Sequence, residues 1–408
     1  MEPIYTSCCG LDVHKRSVSA CVRRLGTNGR VHQETRTFGT MTRDILELAD
    51  WLTAEGVTHV AMESTGVFWK PIYNLLEGCF TLLLVNARHV KHVPGRKTDV
   101  QDCQWLAQLL QCGLLKGSFI PPRPQRELRE LTRHRSQLVG ERARVANRIH
   151  KLLEDANIKL GSVATDILGV SGRDMLRAMV AGEDDPGKLA DLARRQLRSK
   201  LPELTLALEG RLTKHHRFVL GELLDHLEYL ERQIERFSGR IQALSGPFAP
   251  VREAVASLPG FDQRSAENVL AEIGTDMAPF PSEHHLSSWA GVCPGNHESA
   301  GKRQRGTTTQ GNKWLRTALV QSAWAATRKK DSYFQAQYRR LAARRGKKRA
   351  IVAVAHSLLV VIYHMLKTGS TYQDLGGDYF DKLNKNRLVP YLLKRFKDLG
   401  FQVTLEAA

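Results

Sequence analysis

The chain has 408 residues, with 60 lysines and arginines against 42 aspartates and glutamates, a formal net charge of +18. Hydrophobic residues make up 42% of it, enough to fill cores and to exclude a globally disordered protein. The length exceeds what one core fills, so two or three domains are expected, and the cationic excess points to a polyanion, either nucleic acid or an anionic membrane surface.

No charged-then-apolar leader opens the sequence. The best apolar run, IVAVAHSLLVVIYHML from Ile351, is interrupted by His356 and His364 and reads as a buried helix rather than a membrane span. The seven cysteines show no CxxC or other paired spacing, which argues against zinc ribbons and disulfide frameworks and fits a reducing cytoplasm.

The first ~120 residues read as α/β. SCCGLDVHKRSVSACVRRL is a strand that turns and returns, with Val18, Ala20 and Val22 alternating, and VHQETRTFGT continues as a third strand. TRDILELADWLTAEG is an amphipathic helix ending at Gly56. VTHVAMEST is a short strand running into Glu63, TLLLVNARHV is another, and TDVQDCQWLAQLLQCGLL is a helix. Three strands followed by alternating helices and strands predict an RNase H-like sheet.

IPPRPQ from Ile120 breaks that pattern. Leu131, Leu138, Val145 and Leu152 then recur at sevens, with Leu128 and Ile149 at the partner positions. Farther on, Leu220, Leu223, Leu227, Leu230, Ile234, Phe237, Ile241 and Leu244 alternate threes and fours. The two seams predict an antiparallel helix pair, either a coiled coil or a local helical bundle, each helix about 25 residues and roughly 37 Å long. GEDDPGKLADL between them reads as a loop and short helices. The expected domains are 1–122, 123–247 and 248–366, followed by a mixed tail over 367–408.

Asp99 and Asp102 stand at i and i+3 in the first turn of the predicted helix and so share a face. Favourable interaction with the helix dipole would explain them by itself. Asp12, which interrupts the first strand, and Glu63, which ends a later one, add two more carboxylates to the same cleft of such a sheet. Four carboxylates repel one another unless cations lie between them, and oxygen-only ligands select Mg²⁺ or Mn²⁺. Two such ions ~3.5–4 Å apart activate an attacking oxygen and stabilise a leaving one at phosphorus.

In the third region LPGFDQRSAENVLAEIG has the form of a helix-hairpin-helix, whose free N–H groups can hold a phosphate, or of an ordinary helical packing unit. A glycine-rich loop follows, with Gly291, Gly295, Gly301, Gly306 and Gly311, and carries Ser299 among Glu298, Lys302, Arg303 and Arg305. A serine hydroxyl becomes a nucleophile when a base takes its proton and nearby cations neutralise the phosphate. His297 and Glu298 are base candidates by proximity alone, and a loop serine otherwise serves as a turn residue.

Between Gly301 and Arg349 there are fifteen lysines or arginines, Lys313 and Arg316 among them, and one acid, Asp331. That imbalance reads as a phosphate-binding surface. Trp314, Trp324, Tyr333, Phe334 and Tyr338 interleave with it, mostly as core, with one or two able to stack on bases. Arg123, Arg126, Arg129, Arg133, Arg135, Arg142, Arg144 and Arg148 form a second basic strip, which suggests that more than one nucleic-acid segment is held.

Taken in order, GLDVHKRSV, AMESTGVFWKP, GRKTDVQDCQWLAQLL and CPGNHESAGKRQRGTTTQGNKWLRTALVQSAWAA resemble the DEDD-type insertion-sequence transposases, the recombinases guided by a bridge RNA. The resemblance spans nearly the whole chain. It implies a RuvC-like N-terminal domain, a coiled coil and a mainly α C-terminal transposase domain. It further implies that Asp12, Glu63, Asp99 and Asp102 are the metal ligands and that Ser299 joins covalently to a DNA strand end. A structured guide RNA, donor and target DNA, and a homodimer or homotetramer are the implied partners. Where the family often has two serines before the glycine, this chain has the single serine of ESAG.

The expectation is therefore a bacterial, cytoplasmic, membrane-free DNA recombinase that retains phosphoester energy in a phosphoserine link, in keeping with the absence of a GxxxxGK[ST] motif. The rivals are a metal nuclease of the Holliday-junction-resolvase type, in which water attacks, and a non-enzymatic nucleic-acid-binding scaffold.

Overall fold

The computed structural model of the protein describes residues 3–64, 66–86, 90, 102–294, 298–299, 301–303, 307–383 and 385–404. The chain divides into two compact units, Met1–Pro121 and Pro122–Ala408.

In the first unit five strands form one sheet: β1 (Ser7–Val13), β2 (Val18–Leu25), β3 (Val31–Phe38), β4 (His59–Glu63) and β5 (Thr81–Val85), in the order β3-β2-β1-β4-β5. β1, β2 and β3 pair antiparallel, whereas β4 is parallel to both β1 and β5. Burial follows position: central β1 is apolar and enclosed almost throughout, and edge strand β3 is largely exposed. Helix α1 (Thr42–Ala54) covers one face with Ile45, Leu48, Trp51 and Leu52, a helical stripe, and stops before Gly56 at φ +65°. Helix α2 (Trp69–Leu76), absent from the sequence reading, buries Ile72 and Leu76 at i and i+4; it is too short for periodicity to reveal. Helix α3 (Asp102–Gln111) packs on the sheet through Cys103, Leu106, Ala107 and Leu110.

Among the described residues the second unit is helical apart from one two-stranded hairpin and its turns. Its axis is the pair α4 (Arg123–Asp155) and α9 (Lys214–Ser245), each longer than the heptad pattern suggested. Contacts run in opposite order along the two helices: Leu128 shares a cluster with Ile241, the His134 ring lies 4.7 Å from that of Phe237, Arg142 bonds Glu231, and Asp155 meets His216. The pair is therefore antiparallel, and most seam residues are buried, though Leu224 is enclosed and Leu223 only partly so.

At the end of α4 the intervening helices α5 (Leu160–Val163), α6 (Val170–Ala181), α7 (Pro186–Asp191) and α8 (Leu201–Leu208) pack Leu160, Met175, Leu176, Leu189 and Leu204 against the pair. That half is a bundle rather than a bare two-stranded rod.

Beyond Gly246 come α10 (Ala249–Ala256), α11 (Gln263–Ile273), α12 (Glu283–Ala290), the strands β6 (Glu298–Ser299) and β7 (Lys302–Arg303), then α13 (Lys313–Ala326), α14 (Tyr333–Arg345) and α15 (Lys347–Thr368). Among the described residues α15 is the helix long and apolar enough to cross a membrane, and half of that apolar window is buried inside the protein. Val354, Leu358 and Ile362 are enclosed, and Tyr363 donates to the Phe280 carbonyl at 3.1 Å. The tail carries α16 (Tyr379–Leu383) and α17 (Lys385–Asp398).

Candidate active site and nucleic-acid surface

The carboxylates of the first unit gather where strand geometry directs them. β1 and β4 run parallel with Leu11 opposite Met62. Asp12 and Glu63 come next on each strand, so continuing that register places both on one face at the carboxyl ends of neighbouring parallel strands. Open α/β sheets bind ligands at that edge.

Asp102 lies in the first turn of α3, whose backbone approaches β1 at Gly10. A Cβ on Gly10 would collide with the Cys103 carbonyl oxygen and the Ala107 nitrogen, so glycine alone lets this helix lie so close. The Cys103 thiol is pushed up to about 11 by burial, then by Cys21 and by the charge of Asp12. Asp12 thus acts on the first turn of α3, beside Asp102. Asp99 lies outside the described residues.

His14 was not singled out from sequence, yet its Nε2 stands 3.2 Å from Asp12 Oδ2, with the Asp12 side chain 28% exposed. The i, i+2 spacing along an extended segment was the available signal. Among the described residues no three His, Cys, Asp or Glu side chains stand close enough to share a metal ion. Asp12, Glu63 and Asp102 offer oxygen donors only, the kind that hard divalent cations take.

The serine loop of the second unit is a hairpin on a closed root. Ser299 pairs with Lys302 and Glu298 with Arg303, and Gly301 turns the chain at φ +73°. Below this, Pro294 bridges Thr308, the Asn312 N–H donates to the Trp289 carbonyl at 3.2 Å, and Arg316 Nη1 donates to the Thr309 carbonyl at 3.4 Å. Arg316 thus braces the loop, while Lys302 and Lys313 are exposed. His297 and Arg305 lie outside the described residues.

The hairpin motif ahead of the loop is packed inward. Leu258 and Pro259 are buried, and a Cβ on Gly260 (φ +81°) would collide with the Ser322 carbonyl and the Ala326 nitrogen of α13. Of the two readings of this motif, helix packing accounts for its glycine.

The two basic strips behave differently. On α4, Arg133 makes a two-pronged bond to Glu272 at 2.6 and 2.8 Å, and Arg135, nearly enclosed, bonds Glu267 at 2.6 Å. Arg129 donates to the Ala271 and Glu272 carbonyls, and burial outweighs Glu272 in bringing its guanidinium down to about 10. Arg142 bonds Glu231 at 2.8 Å. Arg129 and Arg133, expected to contact nucleic acid, join α4 to α11 in this structure. The acids that neutralise them lie far downstream in the sequence.

By contrast, Arg339, Arg340, Arg344, Arg345, Lys347, Lys348 and Arg349 at the α14–α15 corner are all exposed. Of the interleaved aromatics, Phe334 is core, whereas Trp324 is 42% exposed and meets Tyr338 edge-on at 5.7 Å.

Comparison with known proteins follows the same two segments. Residues 9–158 match the DEDD-type IS110 transposase family, and residues 252–339 match the transposase family IS116/IS110/IS902. The chain belongs to the IS110-type DEDD transposases. This transposase is 25% identical over 299 residues to the transposase for insertion sequence element IS1111A of Coxiella burnetii, covering 71% of this chain and 72% of that protein. It is 27% identical over 308 residues to an insertion element IS110 43.6 kDa protein of Streptomyces coelicolor, covering 69% and 73%. A pilin gene-inverting protein of Moraxella bovis is 30% identical over 116 residues, 28% of this chain and 36% of that one. The enzyme is accordingly a DNA transposase or recombinase and binds DNA.

Proposed function

We propose that this transposase cuts and rejoins DNA through a 5′-phosphoserine formed by Ser299, with Mg²⁺ or Mn²⁺ held by Asp12, Glu63, Asp99 and Asp102. The observation that carries the reading is the convergence of Asp12 and Glu63 at the carboxyl ends of adjacent parallel strands, beside the helix that begins with Asp102. Bound there, the cation would neutralise and polarise the scissile phosphate. His14, with Nε2 3.2 Å from Asp12 Oδ2, borders the same site.

In the first step the Ser299 oxygen attacks phosphorus and gives up its proton as the Oγ–P bond forms. The bond from phosphorus to the 3′-oxygen breaks, and that oxygen takes a proton and leaves as a 3′-hydroxyl. Rejoining is the reverse, with a 3′-hydroxyl displacing serine, so no external energy source is consumed. Lys302, opposite Ser299 in the hairpin, supplies positive charge to the transferring phosphate. Lys313, Arg303 and Arg305 would add further positive charge for the DNA backbone.

The strand order and mixed pairing support an RNase H-like, RuvC-like domain over 1–122. The helix pair would serve as a coiled-coil spacer over 123–247, with the transposase domain at 248–366 and a tail at 367–408. A structured guide RNA lies against the exposed basic corner and pairs with donor and target DNA, leaving target choice to base pairing. The protein works as a homodimer or homotetramer in the bacterial cytoplasm.

The test is a denaturing gel after incubation with element-end DNA, copurifying RNA and Mg²⁺. Wild type gives a protein–DNA adduct and Ser299→Ala gives none. Cleavage without adduct in both proteins would instead indicate water as nucleophile.

A further inference from the structure

The Glu272 carboxylate, 2% exposed, is the meeting point of three segments of the second unit. Arg133 of α4 bonds both of its oxygens at 2.6 and 2.8 Å, and Arg129 Nε stands 3.4 Å from Oε2. Asn312 Nδ2 donates to the same Oε2 at 2.7 Å. Asn312 is also the cap of α13, its Oδ1 accepting from the Trp314 and Leu315 N–H groups at 3.0 and 3.1 Å. One side chain therefore serves two purposes: its oxygen caps a helix, as Ser or Asp would equally do, and its nitrogen reaches Glu272.

Asn312 is the carboxyl-side foot of the Ser299 loop. Immediately before it Gly311 presses on Gly291, the amino-side foot, so the root is closed by backbone and then fastened to α11 and α4 through Glu272. A buried carboxylate between two guanidiniums is often no better for stability than apolar packing of the same shape; what Glu272 adds here is directed bonding from its own helix to α4 and to the loop root.

We propose that Glu272 is a positioning residue for strand cleavage: through Asn312 it sets where the loop root, and with it the Ser299 hairpin, stands on the α4–α11 frame. The proposal rests on the reading of Ser299 as nucleophile. Displacing a reacting group by about 1 Å costs up to ~100-fold in rate.

Asn312→Ser keeps the cap and deletes the bond to Glu272. It should leave the melting temperature and DNA affinity near wild type, slow adduct formation by roughly tenfold to 100-fold, and speed hydrogen exchange of the amides in 307–311. Asn312→Asp sets two carboxylates against each other and should be at least as slow.

Adduct formation by Asn312→Ser at the wild-type rate would overturn the proposal. Adducts persisting in Ser299→Ala would instead remove the nucleophile assignment. Loop exchange then decides on Glu272: faster exchange in Asn312→Ser supports the anchoring and unchanged exchange refutes it.

Discussion

Gly291 and Gly311 lie against each other at the two ends of the Ser299 loop: a Cβ on Gly291 would stand 2.9 Å from the Gly311 Cα, and both residues have positive φ, +73° and +51°. Alanine at Gly291 is opposed by the left-handed backbone and by the missing space. Gly291→Ala should cost about 1–3 kcal/mol and lower the melting temperature by several degrees, with slower adduct formation. Scanning calorimetry that found Gly291→Ala as stable as wild type would show the root to be looser than described.

Arg135 and Glu267 form an enclosed ion pair between α4 and α11, with Asn268 and Arg252 close by. Removing Arg135 strips Glu267 of its short bond and leaves it, among the described residues, only Arg252, 3.9 Å away. Arg135→Ala should therefore destabilise the protein by about 3–5 kcal/mol, whereas Arg135→Met with Glu267→Leu recovers much of that loss. Urea midpoints for the three proteins decide it: equal midpoints for single and double variants would contradict the account.

These pairs also show how far the sequence could be read. The central strands were legible because each is a short apolar run bounded by turns, and on that pattern Asp12 could be read as interrupting the first strand and Glu63 as ending a later one. The fate of Arg129, Arg133 and Arg135 was not. Their neutralising acids, Glu267 and Glu272, lie more than a hundred residues downstream on another helix, and a local count of charge has no access to tertiary pairing. The Glu272–Asn312 bond was hidden for the same reason. The long helix pair was legible as a seam, but the choice between a bare coiled coil and a local bundle stayed open, because the apolar faces of α5–α8 show their partners only when folded.

Salt dependence separates the two kinds of arginine. Replacing Arg344, Arg345, Lys347 and Lys348 by alanine should weaken DNA binding and flatten the plot of log affinity against log salt by up to roughly 3, at ~0.7–0.9 per lost phosphate contact. Arg129→Ala should lower stability and leave that slope unchanged. Fluorescence anisotropy over a range of salt tests both, and a reduced slope for Arg129→Ala alone would reverse the assignment.

Acid should loosen the helical half through Glu231. Its carboxyl is held below the ordinary 4.5 chiefly by bonding to Arg173, with Arg142 adding to the effect against a penalty from burial. A carboxyl depressed on folding adds stability above its unfolded value and loses it as pH falls through the folded one. Melting temperature should thus drop below about pH 4.5, and drop less in Glu231→Gln. Identical acid limbs for the two proteins would exclude this residue as the cause.

The most direct test of the central claim is mass spectrometry of the protease-digested adduct made by wild type, with Asp12→Asn assayed in parallel. The account predicts a nucleotide attached at Ser299 in a Mg²⁺-dependent reaction, and no adduct from Asp12→Asn. A nucleotide found on another residue, or full adduct yield without Asp12, would contradict it.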